Sequence, residues 1–233
     1  MAWRDKVIAT LKRWFKTAPR ETIESESAAR PITRRERIAG VGVGLMLLIG
    51  FFSINTDVLS LFNVLVGMIA FLIAALLWKT AHLKLFKFKS IKASHLLLAI
   101  GVFILIALID QLLFLLLGSG ETSNDQAIDQ AIQMRSTIWL VILGTFIGPF
   151  IEEVVYRGMG LKYMFRGLPI VGVIILSTFF TYTHGPSNVI EFLIYFQSAV
   201  LYSLVYLKTK RIELPLLMHV VNNAFTFIPL LFQ

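Results

Sequence analysis

A chain of 233 residues that is 57% hydrophobic and only 15% charged, with a mean hydropathy of +0.76, cannot be a disordered protein and does not have the composition of a soluble globular one. The net charge of +8 comes from small basic clusters set between long apolar runs, a distribution that suits a lipid bilayer and not a nucleic-acid surface. The absence of cysteine excludes a disulfide scaffold, a thiol nucleophile, an iron–sulfur cluster and any cysteine-based zinc site.

Taken in chain order, residues 1–37 read as a basic amphipathic segment and linker. Trp3, Val7, Leu11, Trp14 and Phe15 recur at helical spacing with Lys6, Lys12, Arg13 and Lys16 between them, which predicts a helix lying in the membrane interface. A polar linker over 17–36 follows. The first long apolar run opens near Ile38, so no cleavable signal peptide is expected. Residues 38–233 read as one transmembrane domain. A helix needs about 20 apolar residues to cross a hydrocarbon core of about 30 Å. Seven stretches qualify, at about 38–54, 58–78, 95–117, 136–155, 169–184, 189–207 and 213–232, the first and fifth being short. The expectation is an all-α, polytopic integral-membrane bundle of about seven helices in the cell membrane.

Lysine and arginine sort these spans by side. The segment 1–37 holds ten of the 22, the connection 79–94 five, and the connections 157–168 and 208–211 three each, leaving Arg135 alone on the other side. The opposite connections carry Asp57, Glu121, Asp125 and Asp129 or are neutral. This alternation places the N-terminus in the cytoplasm and the C-terminus outside. Trp78 and Trp139 suit interfacial belts, as do His82 and His95 beside the lysine-rich connection.

Three groups of polar residues stand inside apolar helices, where ionisable groups are costly and persist by pairing, by lining a wet cavity or by doing chemistry. The first is Gly148-Pro149-Phe150-Ile151-Glu152-Glu153-Val154-Val155-Tyr156-Arg157, at the inner end of the fourth span. Adjacent carboxylates lie about 100° apart on a helix and should serve different faces. Glu153 and Arg157 are four apart and can pair, which leaves Glu152 as the free carboxylate. Gly148-Pro149 can break or kink the helix. In the second, Phe180 and His184 share a face at the end of the fifth span. In the third, His219 and Asn223 share a face of the last span. Each alone has a structural explanation, as a snorkelling helix end, an interface histidine or a helix–helix hydrogen bond. Together, one carboxylate, two imidazoles and an amide on three helices are an inventory for activating water and stabilising an oxyanion. That chemistry suggests hydrolysis of an amide held in the bilayer.

At these residues the chain resembles the CAAX prenyl protease and bacteriocin-processing (Abi) family of intramembrane glutamate proteases. The family pattern Glu-Glu-x-x-x-Arg, Phe-x-x-x-His and His-x-x-x-Asn is met in order by Glu152-Glu153…Arg157, Phe180…His184 and His219…Asn223, within a similarity covering about 136–232. The resemblance implies a helical bundle around a conical cavity open toward the cytosol and the bilayer. It implies Glu152 as general base assisted by His184, His219 and Asn223 as the oxyanion site, and Glu153, Arg157 and Phe180 as supporting residues. It further implies a membrane-associated peptide or protein as substrate, such as a peptide pheromone or bacteriocin, with the bilayer as the other partner and no nucleic acid. A prenylated substrate is not expected of a chain this small.

No cofactor is expected. Were a metal bound, Glu152, His184 and His219 would make a three-ligand zinc site with an open position, although His-Glu-x-x-His is absent. Two other functions compete: a non-catalytic adaptor or immunity protein that binds a peptide or signalling partner, and a small transporter using Asp110, Glu152 and the histidines as a proton path. One tension concerns depth. If the fifth span starts at the inner side near Pro169, His184 lies about 22 Å along it at 1.5 Å per residue, whereas Glu152 and His219 should lie near the inner face.

Overall fold

The computed structural model describes residues 32–54, 60–88, 91–118, 120–134 and 136–232. The interfacial helix expected over the first twenty residues, and most of the linker, lie outside the described residues. The fold is all-helical and multi-pass, as its composition requires. Six helices are long and apolar enough to cross a membrane: α1 (Arg34–Ile54), α2 (Leu61–Thr80), α3 (Ala93–Leu117), α5 (Thr137–Met164), α7 (Val189–Thr209) and α8 (Glu213–Phe232, its last turn 3₁₀ from Ile228). Between α3 and α5 lies a short helix, α4 (Ser123–Met134), and between α5 and α7 an apolar one, α6 (Pro169–Tyr182).

The expected count of seven spans is therefore corrected to six long helices and a shorter one. At 14 residues α6 reaches about 21 Å, short of the hydrocarbon thickness. Chain signals bound it on both sides: Gly167 at φ 93° and Pro169 start it, and Gly185 at φ 60° and Pro186 follow its end. The first span begins earlier than Ile38. Thr33 and Glu36 form a reciprocal cap, in which Glu36 N–H donates to Thr33 Oγ1 (3.2 Å) while the Glu36 carboxylate accepts from the Thr33 backbone (2.8 Å) and hydroxyl (2.9 Å). Ser60 and Asn188 cap α2 and α7 by accepting from Asn63 N–H and Glu191 N–H.

The largest departure is α5. Its expected end near residue 155 is extended to Met164 by an eleven-residue π-helical stretch, Val154–Met164, and a second π turn occupies Leu143–Ile147. The expected loop at 157–168 is thus mostly helix, and it is buried from Val154 to Leu161. Pro149 does not break α5. Gly148 N–H donates to the Leu143 carbonyl, five residues back, so the helix passes the proline in π register.

The helices close around α5. Gly40 and Gly44 of α1 face Tyr163 and Met159 of α5, and a Cβ added at Gly40 would stand 2.8 Å from the Tyr163 Cβ. Val43, Ala74, Val154, Met159, Tyr163 and Ile212 share one core. Ile106, Tyr202, Val205, Leu214 and Met218 share another between α3, α7 and α8. The chain enters α8 already inside the protein, since Ile212 and Leu214 are each 1% exposed and Glu213 6%.

Candidate active site

Three of the four expected site residues meet at one cavity of about 300 Å³, lined by Glu152 of α5, His184 just beyond α6 and Asn223 of α8. Tyr156, Gly144 and Phe227 complete this wall. Asn124 and Ile128 of α4 and Phe51 and Phe52 of α1 face it. His219 stands behind the wall with its Nε2 3.5 Å from Glu152 Oε2.

The glutamates do not serve separate faces. His219 lies between them, its Nδ1 3.0 Å from Glu153 Oε1 and its Nε2 turned to Glu152. Two flexible side chains close the 100° between adjacent positions by reaching opposite edges of one imidazole ring. The expected Glu153–Arg157 pair is present, with Arg157 Nη1 donating to Glu153 Oε1 at 2.8 Å. Arg157 is 1% exposed and Glu153 0%, so this is a buried pair and not a snorkelling helix end. Arg157 Nη2 also donates to the Ala199 carbonyl (2.8 Å), and the guanidinium stands 5.5 Å from the Phe180 ring and 5.6 Å from that of Tyr202. Glu152, by contrast, keeps 18% of its side chain exposed.

His184 Nδ1 is 2.8 Å from the Phe180 carbonyl. A carbonyl only accepts, so Nδ1 carries the proton of this bond and, in the neutral ring, Nε2 is the bare acceptor. Phe180 and Tyr195 hold the ring, with centroids 4.5 Å and 4.6 Å away, the tyrosine stacked at 23°. Phe180 is 2% exposed and also meets His219 edge-on at 5.8 Å.

Asn223 Nδ2 donates to the Gly144 carbonyl at 2.9 Å. The local sequence explains why that carbonyl is free. In the π register it would receive the N–H of residue 149, which is proline and has none, and Gly148 N–H is already spent on Leu143. Gly144 is also where Phe227 comes closest, leaving 2.3 Å between its ring and a built Cβ.

Three contributors have no place in the sequence reading: Gly144, Tyr195 and Tyr202, the last stacked on His219 at 5.3 Å. Tyr195, Ala199 and Tyr202 follow one another at four and three residues, a one-face spacing that could have marked α7 as the supporting helix. Asp110, the residue a proton path would need, accepts from Gln197 Nε2 at 2.8 Å and ties α3 to α7. Among the described residues no group of three His, Asp or Glu side chains is arranged to hold a metal ion.

The extension of α5 resolves the tension over depth. Glu152 lies twelve residues before Met164; eleven of these are in π register, which rises less per residue than an α-helix, so the carboxylate stands less than about 18 Å up the helix but well away from its Met164 end, as His184 stands at the far end of α6. His219 is only about 9 Å into α8, but α8 starts inside the protein. The cavity therefore sits toward the ends of α1, α6 and α8 that lie away from the lysine-rich connections, not at the basic end where the charge pattern puts Glu152.

Part of the chain is similar to known proteins. Residues 134–225 match the family model described as Type II CAAX prenyl endopeptidase Rce1-like. The chain is 34% identical over 91 residues to the membrane-embedded CAAX protease MroQ of Staphylococcus aureus (strain USA300), covering 36% of this chain and 36% of that protein. It is 29% identical over 110 residues to the membrane protein YdiL of Bacillus subtilis (strain 168), covering 46% of this chain and 43% of that protein. The chain thus spans well under half the length of the curated relatives it matches. No solved structure matches it. Residues 134–225, which hold all three motifs, are thus similar to the Rce1-like CAAX endopeptidase family.

Proposed function

We propose that this protein is an intramembrane endopeptidase that hydrolyses a peptide bond of a membrane-associated peptide or protein with a water activated by Glu152 and His184. The observation that carries this reading is the gathering of Glu152, His184 and Asn223 on one cavity wall, with His219 directly behind Glu152. Glu153 is neutralised by Arg157 and fully buried, so Glu152 is the carboxylate that cavity water can reach. Its carboxylate removes a proton as the water oxygen adds to the carbonyl carbon. The bare Nε2 of His184 orients the same water by accepting from it. An amide nitrogen carries two N–H groups, and Asn223 spends one on Gly144; the other donates to the oxyanion, whereas His219, with both nitrogens turned to the glutamates, holds Glu152 in place and gives up the oxyanion role expected of it. The proton taken by Glu152 returns to the amide nitrogen as the C–N bond breaks. The reading needs no metal, and the basic connections place the N-terminus in the cytoplasm and the C-terminus outside.

The test is mass spectrometry of small membrane peptides from cells making the wild type or Glu152→Gln. A peptide whose length differs between the two gives substrate and cut site together, and removal of the general base should slow processing by about 10²–10⁴-fold. Equal accumulation of both proteins with identical peptide profiles would refute the reading in favour of a non-catalytic adaptor. Loss of the wild-type activity to a zinc chelator would refute its metal-free form.

A further inference from the structure

A second and larger cavity, about 800 Å³, opens at the end of the bundle opposite the candidate active site. Four connections build it: the start of α1, the α2–α3 loop, the end of α5 and the end of α7. Among the described residues that line it six are cationic (Arg35, Lys84, Lys87, Lys162, Arg166 and Lys210) and one is acidic, Glu36, which caps Thr33. The basic residues that charge counting reads only as an orientation signal thus converge on a single concavity.

This concavity is built, not a chance gathering of surface chains. Arg35 Nη2 donates to the Thr80 carbonyl at 3.2 Å and Lys162 Nζ to the Lys84 carbonyl at 2.7 Å, which joins α1 to α2 and α5 to the loop beyond α2. Tyr163 OH accepts from the Lys84 backbone at 3.2 Å. The two non-glycine residues with positive φ among the described residues, His82 at 51° and Lys210 at 55°, both line it. Lys210 is the left-handed cap that ends α7, its N–H donating to the Tyr206 carbonyl at 2.7 Å, so the helix end that presents it to the cavity is fixed.

Position and rim decide what the ligand is. The pocket lies at the ends of membrane-spanning helices, at headgroup depth. Exposed apolar side chains stand in the same turns as its cations: Ile38 beside Arg35, Phe88 beside Lys87, and Met164 and Leu168 on either side of Arg166. A soluble anion has no use for that apolar rim, whereas a lipid lays its acyl chains there while its phosphate enters the basic pocket. We propose that this cavity is a binding site for the phosphate-bearing headgroup of an anionic phospholipid, independent of the proteolytic site.

The experiment titrates the purified full chain in detergent with short-chain phosphatidylglycerol, phosphatidylcholine or inorganic phosphate, reading bound ligand by native mass spectrometry. Lys84→Gln/Arg166→Gln is compared with Lys79→Gln/Lys208→Gln, which removes the same charge from exposed positions outside the cavity. Each lysine or arginine facing an anionic headgroup is worth about five-fold in affinity, so the cavity pair should lose about 25-fold for phosphatidylglycerol while the outer pair changes by less than about three-fold. Equal losses in the two pairs would mean a diffuse surface field and overturn the site. No preference for phosphatidylglycerol over phosphatidylcholine, or equal occupancy by inorganic phosphate, would overturn the lipid assignment. Should the cavity pair fail to fold, competition between the two lipids on the wild type decides the matter alone. The measurement involves neither Glu152 nor peptide cleavage.

Discussion

Helices α3 and α5 are of similar length and both apolar, yet the protein treats them oppositely. In its most apolar window 11% of α3 is buried within the protein, against 56% of α5. Leu97, Leu108 and Leu115 of α3 turn 70%, 64% and 79% of their surface outward, where lipid meets them on equal terms. Helix α5 carries Glu153 and Arg157 and is wrapped by α1, α6, α7 and α8. Charged groups are tolerated in a spanning helix when other helices replace the lipid around it and supply partners, as they do here for Glu153 Oε1 and for Nη1 and Nη2 of Arg157, while Glu153 Oε2 and Arg157 Nε have none among the described residues. The contrast is therefore between a helix whose stability comes from matching the bilayer and one whose stability comes from satisfying its own polar atoms, and substitutions on the two should differ accordingly.

The largest effect should come from Arg157→Met. It leaves Glu153 buried with His219 alone and removes one donor from the Ala199 carbonyl, which keeps the Ser203 hydroxyl. Breaking one side of a buried ion pair costs about 3–5 kcal/mol, which a denaturation curve in mixed micelles will register. Arg157→Lys should recover only part of this, because one ammonium on a shorter reach cannot serve both Glu153 and Ala199 as a guanidinium fork does. Full recovery by lysine would show that charge alone matters there and that the fork geometry does not.

Gly144→Ala probes the same helix without touching charge. The new methyl would stand 2.3 Å from the Phe227 ring, and the end of α8 or the ring must move. Overpacking of this kind costs about 1–3 kcal/mol, and the displaced α8 would also withdraw Asn223 from the Gly144 carbonyl. The double variant Gly144→Ala/Phe227→Ala should regain most of the loss in thermal midpoint. If it does not, the glycine matters for the π turn itself and not for the approach of Phe227.

These two sites show what sequence reveals and what it hides. The Glu153–Arg157 pair was legible because residues four apart on any helix are neighbours, and Phe180 with His184 and His219 with Asn223 follow the same rule. The convergence of these helices on one cavity was suggested by the polar inventory and by family resemblance, since spacing alone does not say which helices touch. The π turns were illegible: i→i+5 bonding leaves no apolar period of its own, so α5 was ended near residue 155 and Glu152 was placed too close to the inner face. Yet Pro149 carries the cause in plain view, because a missing N–H must leave a carbonyl seeking a donor, and Asn223 is that donor. Thr33-x-x-Glu36 was equally visible but stood among arginines that read as linker. The role of His219 between both glutamates depends on the entry of α8 inside the protein, which hydropathy does not record.

Tyr195→Phe comes next in size and tests a tie between the connection at Thr122 and the site. Tyr195 OH and Thr122 Oγ1 are 2.7 Å apart, and the same tyrosine stacks on His184. Losing the hydroxyl while keeping the ring should cost about 1 kcal/mol in thermal stability. Peptide processing should change little, since the ring that positions His184 remains. A large fall in processing with unchanged stability would mean that the hydroxyl, and with it the α4 connection, takes part in positioning the histidine.

The smallest effects return to α3 and set its two faces against each other. Ile106 is 0% exposed and packs with Tyr202, Val205 and Met218, whereas Leu115 is 79% exposed. Ile106→Val removes one methylene and should cost about 0.5–1.5 kcal/mol, because the cavity it leaves has no other occupant. Leu115→Ala removes three carbons and should cost less than about 0.5 kcal/mol, because lipid chains fill the space as well as leucine did. If volume removed were what mattered, the order would be reversed. Measuring the two denaturation midpoints side by side therefore asks directly whether α3 is stabilised by what it packs against or only by its fit to the bilayer.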